Sequence, residues 1–351
     1  MDASLESTRP LKLSVIVPAR NEEDCVGACL QSLASQSEPG WELGIDWEIL
    51  LIDDHSTDRT RKIAQGIGGV TVMPAPALEK GWTGKANAVW AGAKAAKGEW
   101  LLFTDADTLH EPGHLSIAMV EAERHHAAML SYSPRQIVTG FWQGALMPLV
   151  FSELALAYPP AKVSDPQSRL AAANGQFLMI TREAYFAVGG HEALKDTVLE
   201  DVALAEIVKR RKLGLRFRYA PEAVATRMYR TFGAMVEGWT KNLALLFGNT
   251  LMLAAWRMLD LALLVGLPVL ALWEYQHNLR PLFVWAIVLI WARNLWRFYR
   301  RVAKSNFPAA DCAVTPLALP LFAYLLYQSW FHHNVTRRVN WKGREYASRN
   351  R

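Results

Sequence analysis

Two carboxylates two positions apart, Asp105 and Asp107, follow directly on a short apolar run, Leu101, Leu102 and Phe103. Acids spaced i and i+2 around a small residue, here Ala106, can set their oxygens on one side of a turn. Such a pair suits a hard divalent cation, Mg²⁺ or Mn²⁺, which takes one or two protein carboxylates and completes its shell with substrate phosphates and water. The same residues also fit a plain turn ahead of the helix that Pro112 would start. A second acidic pair, Glu200 and Asp201, opens a stretch whose apolar spacing through Val202, Leu204, Ile207 and Val208 is helical. Acids are favoured in a helix's first turn for dipole reasons alone; facing a cleft, one of them can instead take a proton from an attacking hydroxyl. Lys85 is the complementary cation. It follows Gly81 and Gly84 at the start of an alanine-rich helix that ends at Gly98, where the macrodipole disfavours positive charge. A phosphate or carboxylate partner is expected there, the alternative being a solvated ammonium.

The elements that must position these groups alternate. LKLSVIVPAR, residues 11–20, reads as a strand ending at Pro18, followed by a loop holding Arg20, Asn21 and Glu22 and a helix through Val26, Cys29, Leu30 and Leu33. DWEILLIDDHSTDRTRKIAQ repeats the plan: a strand to Ile52, the acids Asp53 and Asp54, then Ser56 or Thr57 as cap of the next helix. Asp53 or Asp54 can accept a hydrogen bond from a ribose or a base N–H, and either can equally serve as a local cap. Repeated strand, loop and helix units predict a parallel sheet, with ligands at the carboxyl ends of its strands. Neither G-x-G-x-x-G nor G-x-x-x-x-G-K-[ST] is present, which argues against hydride transfer on a dinucleotide and against P-loop chemistry.

Hydrophobic residues make up 51% of the 351, and they crowd into the second half. Residues 261–273, 281–292 and 312–331 are apolar runs, the first extended by Arg257 and Asp260 as a possible i, i+3 ion pair. The third contains Pro316 and Pro320, which predict a broken or re-entrant segment. Residues 141–160, interrupted by Pro148 and Glu153, fit a core helix or a helix at a bilayer surface. The net charge of +5 gathers beside these runs, at Arg293, Arg297, Arg300 and Arg301, and in the tail at Arg337, Arg338, Lys342, Arg349 and Arg351. That is the placement expected of cytoplasmic loops on a membrane protein, not of a nucleic-acid groove. Cys25, Cys29 and Cys312 form no disulfide framework, and the polar residues 1–10 read as neither signal nor anchor.

Taken in order, SVIVPARNEE, LLIDDHSTDRT, GWTGKANAVWAG, the DAD triplet, NGQFLMITREA and VLEDVALA resemble the GT-A glycosyltransferases of family 2, over roughly residues 11–243. The resemblance implies a Rossmann-like, mostly parallel sheet with helices on both faces, and an inverting transfer of sugar from a nucleotide donor, usually UDP-linked. Position by position it implies that Pro18, Ala19, Glu22 and Asp54 contact the nucleoside, with Arg20 and Lys85 beside them on the nucleotide. It implies that Asp105 contacts ribose or metal, that Asp107 holds the metal and that Asp201 is the general base. The processive members' Q-x-x-R-W is absent: MVEGWTKN keeps Trp239 but has Glu237 and Gly238 before it. RMYRTFGAMVEGWTKNLALLF is more similar to membrane-bound bacterial members that glycosylate carotenoid acids, hopanoids or ceramides. On that likeness Glu200, Trp239 and Lys241 would face the diphosphate or acceptor, with core packing the alternative for Trp239 and a surface position for Lys241.

The expectation is therefore a GT-A domain over residues 1–243, a region of transmembrane helices over 244–331 and a basic cytoplasmic tail over 332–351. Its activity would be metal-dependent transfer from a nucleotide-sugar to a lipid-type acceptor, at the cytoplasmic face of a bacterial inner membrane crossed more than once. A sugar nucleotidyltransferase would be expected to carry a glycine-rich loop that PARNEE lacks. A catalytically silent membrane scaffold would have no need of the intact Asp105, Asp107 and Asp201.

Overall fold

The computed structural model describes residues 10–36, 38–277, 281–341 and 344–347. Residues 1–9 and the basic tail residues Lys342, Arg349 and Arg351 lie outside the described residues. The chain runs β1 (Leu13–Ala19), α1 (Val26–Ala34), β2 (Trp47–Asp53), α2 (Thr60–Gln65), β3 (Val70–Pro74), α3 (Gly84–Ala95), β4 (Trp100–Phe103), β5 (Thr108–His110), α4 (His114–Arg124), β6 (Met129–Ser133), β7 (Arg135–Gln136), α5 (Phe141–Ala157), α6 (Pro160–Ser164), β8 (Leu178–Thr181), α7 (Arg182–Ala187), α8 (Glu200–Arg210), β9 (Leu215–Tyr219) and β10 (Val224–Thr226). Helices α9 (Phe232–Leu246), α10 (Thr250–Gln276), α11 (Pro281–Val302), α12 (Ala309–Val314) and α13 (Leu319–Phe331) follow. The chain up to Ile137 and Pro160–Arg227 form one compact unit; Val138–Pro159 and the chain from Met228 form another.

The first unit is α/β, as expected, built on a sheet in the order β3-β2-β1-β4-β8-β6-β9. Neighbours are parallel except at β8, which runs against both β4 and β6. Both faces are covered because successive side chains on a strand point opposite ways. Leu13, Val15 and Val17 pack with Val26, Cys29, Leu30 and Leu33 of α1. Ile16 and Ile52 point the other way, toward α3, whose backbone comes so close that a Cβ on Gly92 would lie 2.6 Å from Ile16. The strand order reverses between β1 and β4, where open α/β sheets leave a crevice at the strands' carboxyl ends. Because β8 is antiparallel and Leu178 pairs with Phe103, its first residue sits beside the last residue of β4.

Two local devices fix β4. Ser14 Oγ accepts the Gly98 N–H at 2.8 Å and donates to Glu48 at 2.6 Å, tying the loop before β4 to β1 and β2. A Cβ on Gly98 would lie 2.5 Å from the backbone of Leu13 and Ser14, so only glycine permits this approach. The cap expected from Ser56 or Thr57 is elsewhere. Helix α2 starts at Thr60, whose N–H donates to Asp58 at 2.9 Å, while Ser56 Oγ accepts the Asn21 N–H at 3.0 Å. The Ser56 hydroxyl serves the first loop, and the N-cap of α2 is Arg59, which makes no side-chain cap; Asp58 just before it accepts the first helical N–H.

The second unit packs α5, α9 and α13 around Leu146, Leu149, Val150, Trp239, Leu243, Phe322 and Leu325. Residues 141–157 are thus a core helix, one of the two readings open from sequence. Arg257 and Asp260 do pair, at 3.2 Å, within a larger, partly buried cluster: Arg257 meets Glu153 of α5 at 2.7 Å, and Arg301 of α11 reaches Asp260 at 2.5 Å. Among the described residues two helices are long and apolar enough to cross a membrane, Thr250–Gln276 and Ala309–Thr336. In the latter the α-helical run is interrupted at the expected place, by a 3-10 turn over Thr315–Ala318 between α12 and α13, and the helical path continues beyond it. Proline at Pro316 removes one donor without ending the helix.

Candidate active site

A pocket opens at the crevice between β1 and β4, lined among others by Pro18, Lys85, Thr104, Asp105, Gly175, His191, Glu200 and Asp201. Thr83 caps α3 by accepting the Ala86 N–H at 3.2 Å, which places Lys85 in the first turn. Its ammonium lies 2.9 Å from Asp105 Oδ1 and 3.0 Å from Glu200 Oε1, so the carboxylate partner that its position called for is present twice. The first turn of α8 brings Glu200 and Asp201 to the same wall. Asp201 Oδ2 accepts the Gly175 N–H and Oδ1 accepts the Val202 N–H, both at 2.8 Å. Side-chain bulk at position 175 is restricted, since a Cβ there would lie 3.1 Å from Lys85 Nζ and 3.5 Å from Asp201 Oδ2.

The two neighbouring acids titrate in opposite directions. Burial and the adjacent Glu200 charge push Asp201 up to about 6, against the partial relief of Lys85 and the two N–H donors. Burial would raise Glu200 as well, but the Lys85 ammonium, the nearby His191 and the hydrogen bonds to the carboxylate together outweigh it and hold Glu200 below the ordinary glutamate range. Lys85 is itself opposed by burial, and the Asp105 and Glu200 carboxylates more than offset that and raise it well above an ordinary lysine. The result is one ionised acid paired with a lysine beside another poised to exchange a proton near neutrality, an arrangement that separates acid and base roles.

The acid turn after β4 is braced from below. Thr104 Oγ1 donates to the Gln176 carbonyl at 2.8 Å and Thr108 Oγ1 donates to the Asp105 carbonyl at 2.7 Å, with His110 Nε2 within 3.1 Å of both hydroxyls. Burial pulls His110 down to about 3, so it is a neutral part of this brace. Asp107 stands two residues beyond Asp105, half-buried; its carbonyl accepts from the Thr226 hydroxyl at 3.3 Å, which ties the turn to β10. Among the described residues no group of three or more His, Cys, Asp or Glu could hold a metal ion unaided. Of the two turn carboxylates Asp105 lines the pocket and Asp107 is not among its lining residues; both are oxygen donors of the kind a Mg²⁺ or Mn²⁺ ion takes.

At the carboxyl ends of β1 and β2 the Asp54 N–H donates to the Ala19 carbonyl at 2.8 Å, and Arg20 lies 3.6 Å from the buried Asp54 carboxylate. Glu22 donates its N–H to Thr60 Oγ1 at 2.8 Å. Asp53 accepts the Ser56 N–H at 3.2 Å, a bond within the loop that caps no helix, since α2 starts only at Thr60. Trp239 and Lys241 belong to the second unit. Trp239 is buried there, its Nε1 donating to Met147 Sδ at 3.4 Å, and the Lys241 carbonyl is paired with His333 Nε2 at 2.7 Å. Trp239 is thus seated in a hydrophobic core. Three of the pocket residues named above, Thr104, Gly175 and His191, carry no role in the sequence reading. The signal for His191 was the double glycine before it, with φ of +85° at Gly189 and +49° at Gly190.

The family model for Glycosyl transferase family 2 matches residues 14–187. The chain is 27% identical over 348 residues to 4,4'-diaponeurosporenoate glycosyltransferase of Staphylococcus aureus (strain USA300), covering 95% of this chain and 88% of that protein. Among solved structures it is similar to S. aureus TarS 1-349 in complex with UDP-GlcNAc, at 15% identity and a TM-score of 0.45 over 97% of each chain. It is also similar to mannosyltransferase PcManGT from Pyrobaculum calidifontis in complex with GDP-Man and Mn²⁺, at 17% identity and a TM-score of 0.48 over 94% of this chain and 89% of that one. The strand ends of β1 and β2, the start of α3 and the acid turn all fall within residues 14–187, the stretch that forms a glycosyltransferase family 2 domain.

Proposed function

We propose that the chain is an inverting, metal-dependent glycosyltransferase that moves a sugar from a UDP-sugar to a lipid-type acceptor at the cytoplasmic face of a bacterial inner membrane. The observation that carries this reading is Asp201, held by two N–H donors in one pocket with Lys85, Asp105 and Glu200 at the switch point of the sheet. In the proposed step an acceptor hydroxyl attacks the anomeric carbon as its bond to the diphosphate oxygen breaks. Asp201 takes the hydroxyl proton, and the nucleoside diphosphate leaves with the bonding electrons. One base suffices for this single displacement, unlike the acid and base pair of glycoside hydrolysis. Lys85 would exchange a carboxylate for the departing phosphate, adding positive charge where negative charge develops. Asp105 and Asp107 would hold the divalent cation, which supplies further charge neutralisation at the leaving group.

Pro18, Ala19, Arg20, Glu22 and Asp54 would form the nucleoside wall, the role that resemblance implies at those positions. A lipid acceptor is supported by the relative named for diaponeurosporenoate and by two helices long and apolar enough for a bilayer. The test is transfer by the purified full-length chain in detergent, with UDP-sugars and bacterial lipid extract, read by mass spectrometry. Turnover should stop with a chelator and return with Mn²⁺ or Mg²⁺. Undiminished transfer in the chelator would reject the metal role, and no glycolipid from any donor would reject the reaction.

A further inference from the structure

His191 is 3% exposed yet lines the same pocket as Lys85, Glu200 and Asp201. Its seat is built. Tyr185, fully buried, places its hydroxyl 2.9 Å from His191 Nδ1 and accepts the His191 backbone N–H at 3.1 Å. The phenol ring is wedged against Phe103 and Trp90, with centroids at 5.2 and 6.0 Å, and Phe103 meets the imidazole edge-on at 5.3 Å. The turn before it is equally constrained: a Cβ on Gly190 would lie 2.6 Å from Tyr185 and 2.8 Å from Trp90.

One tautomer uses every hydrogen-bonding group of this seat. The phenol oxygen already accepts the backbone N–H, so its one hydrogen is free to go to Nδ1, and a neutral imidazole with Nδ1 as acceptor carries its proton on Nε2. Burial keeps the ring neutral, pulling its pKa down to about 4. With Nδ1 engaged, Nε2–H is the ring group left for an occupant of the pocket. A fixed, uncharged donor beside a lysine-balanced acid pair matches an uncharged hydroxyl oxygen and offers no charge to a phosphate. We propose that Tyr185 and His191 belong to the donor-sugar subsite, with His191 Nε2–H donating to one hydroxyl of the transferred sugar. The assignment rests on the glycosyl-transfer reading above and adds to it a specificity residue.

The experiment uses the full-length chain in detergent. Transfer is measured first with UDP-glucose, UDP-galactose, UDP-N-acetylglucosamine and GDP-mannose, and then with the deoxy analogues of whichever is used best. The wild type should discriminate against one deoxy position by about tenfold or more in kcat/KM, because the analogue leaves a buried donor unpaired. His191→Phe should lower kcat/KM for the parent sugar and erase that discrimination, leaving UDP affinity unchanged. His191→Gln, which keeps an N–H donor, should restore part of it, and Tyr185→Phe, which frees the ring, should weaken it. If Phe and Gln variants that bind UDP normally retain the wild-type ratio at every position, the proposal is overturned while the reaction stands. A wild type that transfers from none of the four donors overturns both.

Discussion

At the residue scale, the site depends on two adjacent acids being made unlike. Glu200 is spent on Lys85, whereas Asp201 has only main-chain partners within hydrogen-bonding distance and sits beside Glu200's charge. With Lys85, Glu200 and Asp105 facing it, activity should rise as pH increases through about 6, where Asp201 loses its proton. Stability should respond with the opposite sign. The folded carboxyl holds its proton up to about 6 and an unfolded one releases it near 3.8, so the folded state binds more protons in that window and this group's contribution declines as pH rises through it. A pH profile of kcat alongside thermal melts separates the two. Asp201→Asn should remove transfer by a hundredfold or more, on the order of a lost general base, with donor affinity retained. Normal transfer by that variant would assign the base elsewhere. Lys85 was legible because a cation at a helix start breaks a local preference, whereas Glu200 and Asp201 obey the dipole preference of a first turn and stood out through the family resemblance. Their pairing was not, since Lys85 and Glu200 are far apart in sequence and nothing local links them.

At the element scale, the strand and helix alternation of the first half was readable from period alone, down to α3 beginning beside Lys85. The direction of β8 was not. A four-residue apolar run such as Leu178–Thr181 is the same hydrophobic signal whichever way it points, and only its neighbours β4 and β6 decide. That direction matters, because it sets the entry to β8, and with it Gly175, beside the exit of β4. Two substitutions test how elements carry the site. Thr83→Ala removes the cap of α3 and should cost about 1 kcal/mol of stability in denaturant titration. Gly98→Ala forces a methyl onto the backbone of β1 and should cost more, roughly 1–3 kcal/mol, by overpacking. If Gly98→Ala melts like wild type, the close approach at β1 is not a constraint.

At the scale of the whole molecule, the partly buried cluster of Glu153, Arg257, Asp260 and Arg301 joins α5, α10 and α11 within the second unit. Removing one partner strands charge in an apolar setting, so Glu153→Leu should lower stability by about 3–5 kcal/mol, seen as a lower melting midpoint in detergent. Helix α10 leaves Trp256, Val265, Val269 and Leu272 exposed along its length, the surface a bilayer would cover. Full-length chain should therefore stay with membranes through an alkaline carbonate wash, and its release would count against spanning helices. The polypeptide leaves the sheet after Ile137, supplies α5 to the hydrophobic unit and returns at Pro160, so trimming at Arg227 deletes the partners of α5 but not α5 itself. The shortened product would display Leu146, Leu149 and Val150 to solvent and aggregate. A usable catalytic fragment calls for a polar linker in place of residues 138–159 as well as the trim.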